Sequence, residues 1–154
     1  IGMSLEEIAK ACETINPDEG AMKLMSGVDG IRIIDSSYSA NPDGVLADLD
    51  YLSLWEGKKI MVMPCLIELG EAAKEVHKKI GEKVVQVCDL AVITTKEHFY
   101  DIKEGAEQSE RVIYMENVQE ILRKIKSFPG ERIVLMEGGK ESAVQRQLIR
   151  SLTV

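Results

Sequence analysis

A chain of 154 residues with 45 % hydrophobic content is long enough for one domain with a buried core, and excludes wholesale disorder. Its net charge of −7 argues against a general nucleic-acid or anionic-membrane surface, either of which needs a basic excess. No apolar run approaches a membrane span, no signal-peptide pattern is present, and Cys12, Cys65 and Cys88 form no C-x-x-C pair, which suits free thiols in a reducing, cytoplasmic setting.

The chain opens on Ile1-Gly2 rather than methionine, as a processed chain or a piece of a longer polypeptide would, and a piece is the expectation. Ser4-Leu5-Glu6-Glu7 reads as a capping box, and Leu5, Ile8, Ala9 and Cys12 then share one helical face. Asn16-Pro17-Asp18-Glu19-Gly20 breaks that helix. Ala21 to Met25 and Ile31 to Asp35 read as two strands joined through Ser26-Gly27-Val28-Asp29-Gly30, a hairpin. Asn41 and Pro42 read as the N-cap and first residue of a helix carrying Val45, Leu49 and Leu52, ended by Gly57.

Lys59 to Met63 is the next expected strand, and Pro64 to Gly70 a loop. A long amphipathic helix follows, with Val76, Ile80, Val84 and Val87 expected inward and His77 at the boundary. Further strands are expected at Leu90 to Thr94, Arg111 to Met115 and Arg132 to Met136. Between them lie a polar stretch from Lys96 to Glu110 and a helix marked by Val118, Ile121, Leu122 and Ile125. A last helix begins near Ser142.

Short apolar strands separated by helices are the signature of an α/β fold: a Rossmann-like, mostly parallel sheet with helices on both faces, here preceded by an N-terminal helix and a β-hairpin. Right-handed crossovers place every strand-to-helix loop on one edge. Three polar segments far apart in sequence should therefore converge: Asp35 to Asn41, Pro64 to Gly70, and Glu137 to Ser142.

The first segment offers a carboxylate, hydroxyls and an amide: Asp35, Ser36, Ser37, Tyr38, Ser39 and Asn41. These either bind a polar small molecule or fill a turn and cap a helix. Glu68, the sole charge between Met63 and Glu71, suits an ammonium group or ribose hydroxyls, or else simply favours a helix N-terminus. Glu137-Gly138-Gly139-Lys140 offers a nest with Lys140 as added charge, or a flexible turn. No G-x-x-x-x-G-K-[ST] and no G-x-G-x-x-G occurs. Cys65 has no histidine near it in sequence and reads as structural. His98 lies where it can reach the site edge. Neither His77 nor His98 has metal-ligand companions at useful spacing.

Asp35-Ser36-Ser37-Tyr38-Ser39-Ala40-Asn41-Pro42 resembles the D-D-S-Y-N-A-N-P run of the Mur ligase C-terminal domain. Within that family the similarity is to the ligases that add D-alanyl-D-alanine to UDP-N-acetylmuramoyl-tripeptide. Pro64-Cys65-Leu66-Ile67-Glu68-Leu69-Gly70, followed by His77 and Gly81, resembles the family's G-D-M-x-E-L-G and the helix after it. Glu137-Gly138-Gly139-Lys140 stands where the family has K-G-S-R.

The resemblance covers nearly the whole chain and implies a single domain, residues 1–154, that closes over a central ATPase domain carrying the P-loop and most of the magnesium site. It implies ATP and Mg as cofactors of the full-length enzyme, and the central domain and an amine substrate (amino acid or dipeptide) as partners. It also implies nucleotide or substrate contact by Asp35, Ser36, Ser37, Tyr38, Ser39, Asn41, Glu68 and Lys140. An isolated domain of this kind is not expected to turn over ATP.

The chain departs from the family pattern at several places. Ser36 replaces an acidic residue implicated in contacting the nucleotide, Ser39 replaces an Asn, Pro64-Cys65 replace Gly-Asp, Glu137 replaces a Lys, and Ala21 replaces a common Arg. These swaps point to a divergent ligase, with a non-catalytic binding module on the same fold as the alternative. A free-standing Rossmann-like domain with an unrelated ligand is the third reading.

Overall fold

The computed structural model describes residues 2–14, 22–139 and 142–153. The expected helix break at residues 16–20, the strand start at Ala21 and the candidate Lys140 lie outside them. Helix α1 (Leu5–Cys12) is closed by the expected capping box: the Glu7 amide donates to Ser4 Oγ at 3.2 Å and the Ser4 amide to Glu7 at 2.8 Å. Its apolar face buries no residue, and Leu5 stays 85 % exposed.

The sheet contains β1 (Lys23–Ser26), β2 (Ile31–Ser36), β3 (Lys58–Met63), β4 (Leu90–Ile93), β5 (Val112–Tyr114) and β6 (Arg132–Glu137). Their order is β1-β2-β6-β3-β4-β5. β1 pairs antiparallel with β2, as the hairpin reading expected, and every other pairing is parallel. A 3₁₀ turn at Val28–Gly30 makes the hairpin corner, with Asp29 at φ 55° and Gly30 at φ 72°.

Five further helices cover the sheet: α2 (Pro42–Ser53), α3 (Ala73–Val87), α4 (Phe99–Gly105), α5 (Val118–Lys126) and α6 (Ala143–Thr153). The steps β2 to β3, β3 to β4 and β4 to β5 all run the same way across the sheet, so right-handed crossovers put α2, α3 and α4 on one face. The step from β5 back to β6 runs the other way and puts α5 on the opposite face, where α6 joins it. Successive residues of β6 point alternately to the two layers. Ile133 and Leu135 pack with Leu49, Ile80 and Val84, whereas Val134 and Met136 pack with Ile121, Ile125 and Leu148. Each such fully buried aliphatic side chain contributes about 1.5–3 kcal/mol.

The inner face of α3 is rotated from the expected one. Ile80 and Val84 are buried as expected, but His77 and Gly81 are buried with them, and Val76 and Val87 are only partly covered. His77 is therefore a core residue and not a boundary one. Gly81 explains the rotation. A Cβ there would lie 2.1 Å from the Ile102 carbonyl oxygen, so only glycine lets α4 approach this closely.

Candidate functional site

β6 is the point where the winding reverses. The chain leaves β2 and β3 toward one face and leaves β6 toward the other, which opens a crevice at the carboxyl ends of the three strands. A cavity of about 570 Å³ occupies it. All three expected segments contribute to its lining: Tyr38, Ser39 and Ala40 from the first, Pro64 to Glu68 from the second, and Gly138, Gly139 and Ser142 from the third. A fourth segment, after β4, adds Thr95 and Glu97. It was missing from the sequence expectation, although the same crossover rule places the β4 exit beside that of β3.

The candidate residues divide into two groups. Tyr38, Ser39 and Glu68 line the cavity. Asp35, Ser36, Ser37 and Asn41 are engaged in building its rim. Asp35 Oδ1 accepts from the Ser37 amide at 3.0 Å and from Ser37 Oγ at 2.6 Å, which folds the chain sharply out of β2. Asn41 Oδ1 accepts from the Gly44 amide at 2.9 Å and caps α2. Ser36 Oγ donates to Asp48 Oδ2 at 2.5 Å.

Asp48 also meets Glu137, which is 1 % exposed at the end of β6. Burial, and secondarily the Asp48 carboxylate, push the Glu137 carboxyl up to about 10. Glu137 is thus protonated at neutral pH and acts as donor to Asp48, leaving its Oε1 buried without a hydrogen-bond partner. The pair anchors β2, β6 and α2 together under the rim.

The second segment is held from behind by two side chains. The Cys65 amide donates to Thr95 Oγ1 at 2.8 Å, and the Leu66 amide donates to His77 Nε2 at 3.0 Å. Cys65 and Leu66 are buried, while Ile67 and Glu68 turn outward, with Glu68 at φ 61°. Burial raises the Cys65 thiol pKa, which agrees with its structural reading. His98 does not line the cavity; it stacks on His77 at 4.5 Å between ring centroids and bonds Asp101 at 2.8 Å. On the far side, Ser142 Oγ bonds Gln145, whose buried amide reaches Thr94 Oγ1 at 3.4 Å and ties the start of α6 to the end of β4.

Glu68 and Glu97 make the described lining acidic, against apolar walls from Ala40, Pro64, Leu66 and Ile67. Such a surface suits a small ligand with a cationic nitrogen. Among the described residues no three His, Cys, Asp or Glu side chains meet in a way that would hold a metal ion. A second hollow, of about 610 Å³, lies between α5 and α6 and is lined by Asn117, Gln119, Gln147 and Arg150. It contains none of the expected residues.

Residues 22–139 match the family model described as Mur ligase, glutamate ligase domain. The chain belongs to the Mur ligase family. UDP-N-acetylmuramoyl-tripeptide–D-alanyl-D-alanine ligase of Mycobacterium tuberculosis H37Rv is 31 % identical to it over 115 residues, 68 % of this chain and 22 % of the relative. The ligase of the same name from Bacillus subtilis 168 is 25 % identical over 159 residues, 97 % of this chain and 35 % of the relative. This Mur ligase chain thus spans about a third or less of these curated relatives.

Solved Mur ligases share the fold. A crystal structure of MurF from Acinetobacter baumannii superposes with a TM-score of 0.79 at 23 % identity, covering 97 % of this chain and 34 % of that one. MurF from Thermotoga maritima, crystallised with ADP, gives 0.74 at 22 % identity, covering 90 % and 31 %. The α/β architecture expected from the sequence is the Mur C-terminal fold, and no helix among the described residues is long and apolar enough to cross a membrane.

Proposed function

We propose that this chain is the C-terminal domain of a cytoplasmic, ATP-dependent acid–amino-acid ligase of Mur type, working in peptidoglycan precursor synthesis, and that its cavity receives the incoming amine. In this reaction a substrate carboxylate takes the terminal phosphoryl group of ATP, giving an acyl phosphate and ADP. The incoming ammonium first gives up a proton to solvent; the neutral amine nitrogen then attacks the acyl carbon, phosphate leaves, the nitrogen loses a second proton and an amide remains. ATP and the carboxylate substrate sit mainly on a central domain of the same polypeptide, as does Mg. Phosphoryl transfer needs a phosphate cradle and a metal together, so catalysis is assigned to the assembled enzyme.

The observation that carries this reading is the convergence of Tyr38, Ser39, Glu68 and Glu97 on one crevice at the winding reversal. Glu68 and Glu97 attract the ammonium form of the amine and hold it near the mouth. Ala40, Leu66 and Ile67 cover a small apolar body. Tyr38 and Ser39 supply the polar edge toward the nucleotide. Lys140, beside Gly139, is proposed as the charge that meets a phosphate or substrate carboxylate. Asp35, Ser36, Ser37 and Asn41 shape the loop that carries Tyr38 and Ser39.

The test is amide formation by the full-length protein with ATP and a panel of amino acids and dipeptides. An amide product that falls when Glu68 is changed, with folding intact, supports the reading. Tight binding of an amine with no product under any combination of acid and ATP favours the binding-module alternative.

A further inference from the structure

We propose that His77, buried behind the cavity wall, is a positioning residue that holds the Pro64–Glu68 segment in its ligand-facing conformation through the Leu66 amide. His77 Nδ1 lies 2.6 Å from the Ala73 carbonyl, which only accepts, so Nδ1 carries the proton. Nε2 is then left as an acceptor, and the Leu66 amide donates to it at 3.0 Å. The imidazole is satisfied at both nitrogens only when neutral and in this one tautomer. Leu66 is the hinge between the anchored and the outward parts of the segment: Ile67 is 80 % exposed and Glu68 takes a left-handed backbone one residue later.

The arrangement makes the wall sensitive to protons. A proton on Nε2 turns the acceptor into a donor facing the Leu66 N–H, and the hydrogen bond is lost. The surrounding groups set where this happens. From the start of α4, His98 stacks on the ring and disfavours a second charge, while Asp101 favours it. From the segment itself, the Cys65 thiol stays neutral, and Glu97 from the β4 exit lies near that thiol. On α3, Lys78 is engaged with Glu104 of α4 at 2.7 Å. Burial is the largest influence and lowers the His77 pKa below its usual 6.5, so the neutral ring persists at physiological pH.

The proposal rests on the reading of the cavity as the amine site for its catalytic consequence, but not for the hydrogen bond itself. Its test therefore has two arms. In the first, long-range ¹⁵N–¹H NMR of the wild-type chain reads the His77 tautomer, and hydrogen exchange reads the Leu66 amide across a pH titration. The expected result is an Nδ1–H ring and a Leu66 amide whose protection is lost as His77 titrates below pH 6.5. His77→Phe should speed Leu66 exchange on the order of tenfold at neutral pH, a difference that disappears in acid once His77 is protonated in wild type. His77→Gln, which offers an acceptor that does not titrate, should restore protection and remove its pH dependence.

In the second arm, KM for the amine in the full-length enzyme should rise in acid for wild type, stay flat for His77→Gln, and move more than kcat. An Nε2–H tautomer, or Leu66 protection unaffected by His77→Phe, overturns the proposal. If the full-length protein forms no amide, the ligase reading fails, and the NMR arm alone decides the role of His77.

Discussion

Ser36 and Glu137 stand directly opposite each other on the last rung between β2 and β6, and both bond the same carboxylate, Asp48. A proton on Glu137 lets the two carboxyl groups lie side by side and keeps the ends of β2 and β6 joined to α2 beneath the rim.

That proton has a cost in stability that grows with pH. The Glu137 pKa rises from 4.5 to about 10 on folding, so its contribution is fully present below pH 4.5 and is lost as pH climbs toward 10. The slope is at most about 1.4 kcal/mol per pH unit. Glu137→Gln keeps a donor for Asp48 and cannot ionise. Thermal melts from about pH 5 to about pH 9 should show a falling Tm in wild type and a flatter curve in the variant. Parallel curves would mean that Glu137 is not protonated in the folded state.

Gly81 sets the distance between α3 and α4. In Gly81→Ala the new methyl meets the Ile102 backbone, which cannot rotate away. Urea denaturation should show a loss of about 1–3 kcal/mol from the overpacked crossing. An unchanged midpoint would mean that α3 and α4 cross with room for a methyl group at residue 81.

Asn41 caps α2 and does not line the cavity. Asn41→Ala should cost about 1 kcal/mol in chemical denaturation, and Asn41→Asp should recover most of it, because the carboxylate keeps the acceptor and faces the positive end of the helix. Equal losses in the two variants would show that capping is not what Asn41 contributes.

The fold was legible because its signals are strong and local. β-Branched strands, the Ser4 and Asn41 caps and helical spacing all agreed, and the handedness of crossovers then assigned the loops to one edge. The details that escaped depend on contacts between elements. His77 reads as a boundary residue because its polar ring sits beside Val76 in a pattern of valines. The spacing of His77, Gly81, Val84 and Cys88 carries the true inner face, but a glycine contributes no hydrophobic signal and a histidine an ambiguous one. Glu97 lies in a stretch, Lys96 to Glu110, that reads from sequence only as polar, and its place at the cavity follows from the position of the β4 exit. From sequence, Ser36 reads either as a ligand-facing hydroxyl or as a turn-filling one, and its bond to Asp48, twelve residues on, becomes visible only once α2 is laid across the sheet.

Recognition of the amine is proposed to rest on Glu68. Glu68→Gln removes the charge, keeps the shape and alters an exposed side chain, so stability should stay within about 0.5 kcal/mol of wild type. Steady-state amide formation by the full-length enzyme, titrated with the amine substrate, is the direct measurement. In Glu68→Gln, kcat/KM for the amine should fall on the order of tenfold or more, as loss of a charge-assisted hydrogen bond would cause, with KM for ATP little changed. An unaltered kcat/KM in a folded variant would contradict it.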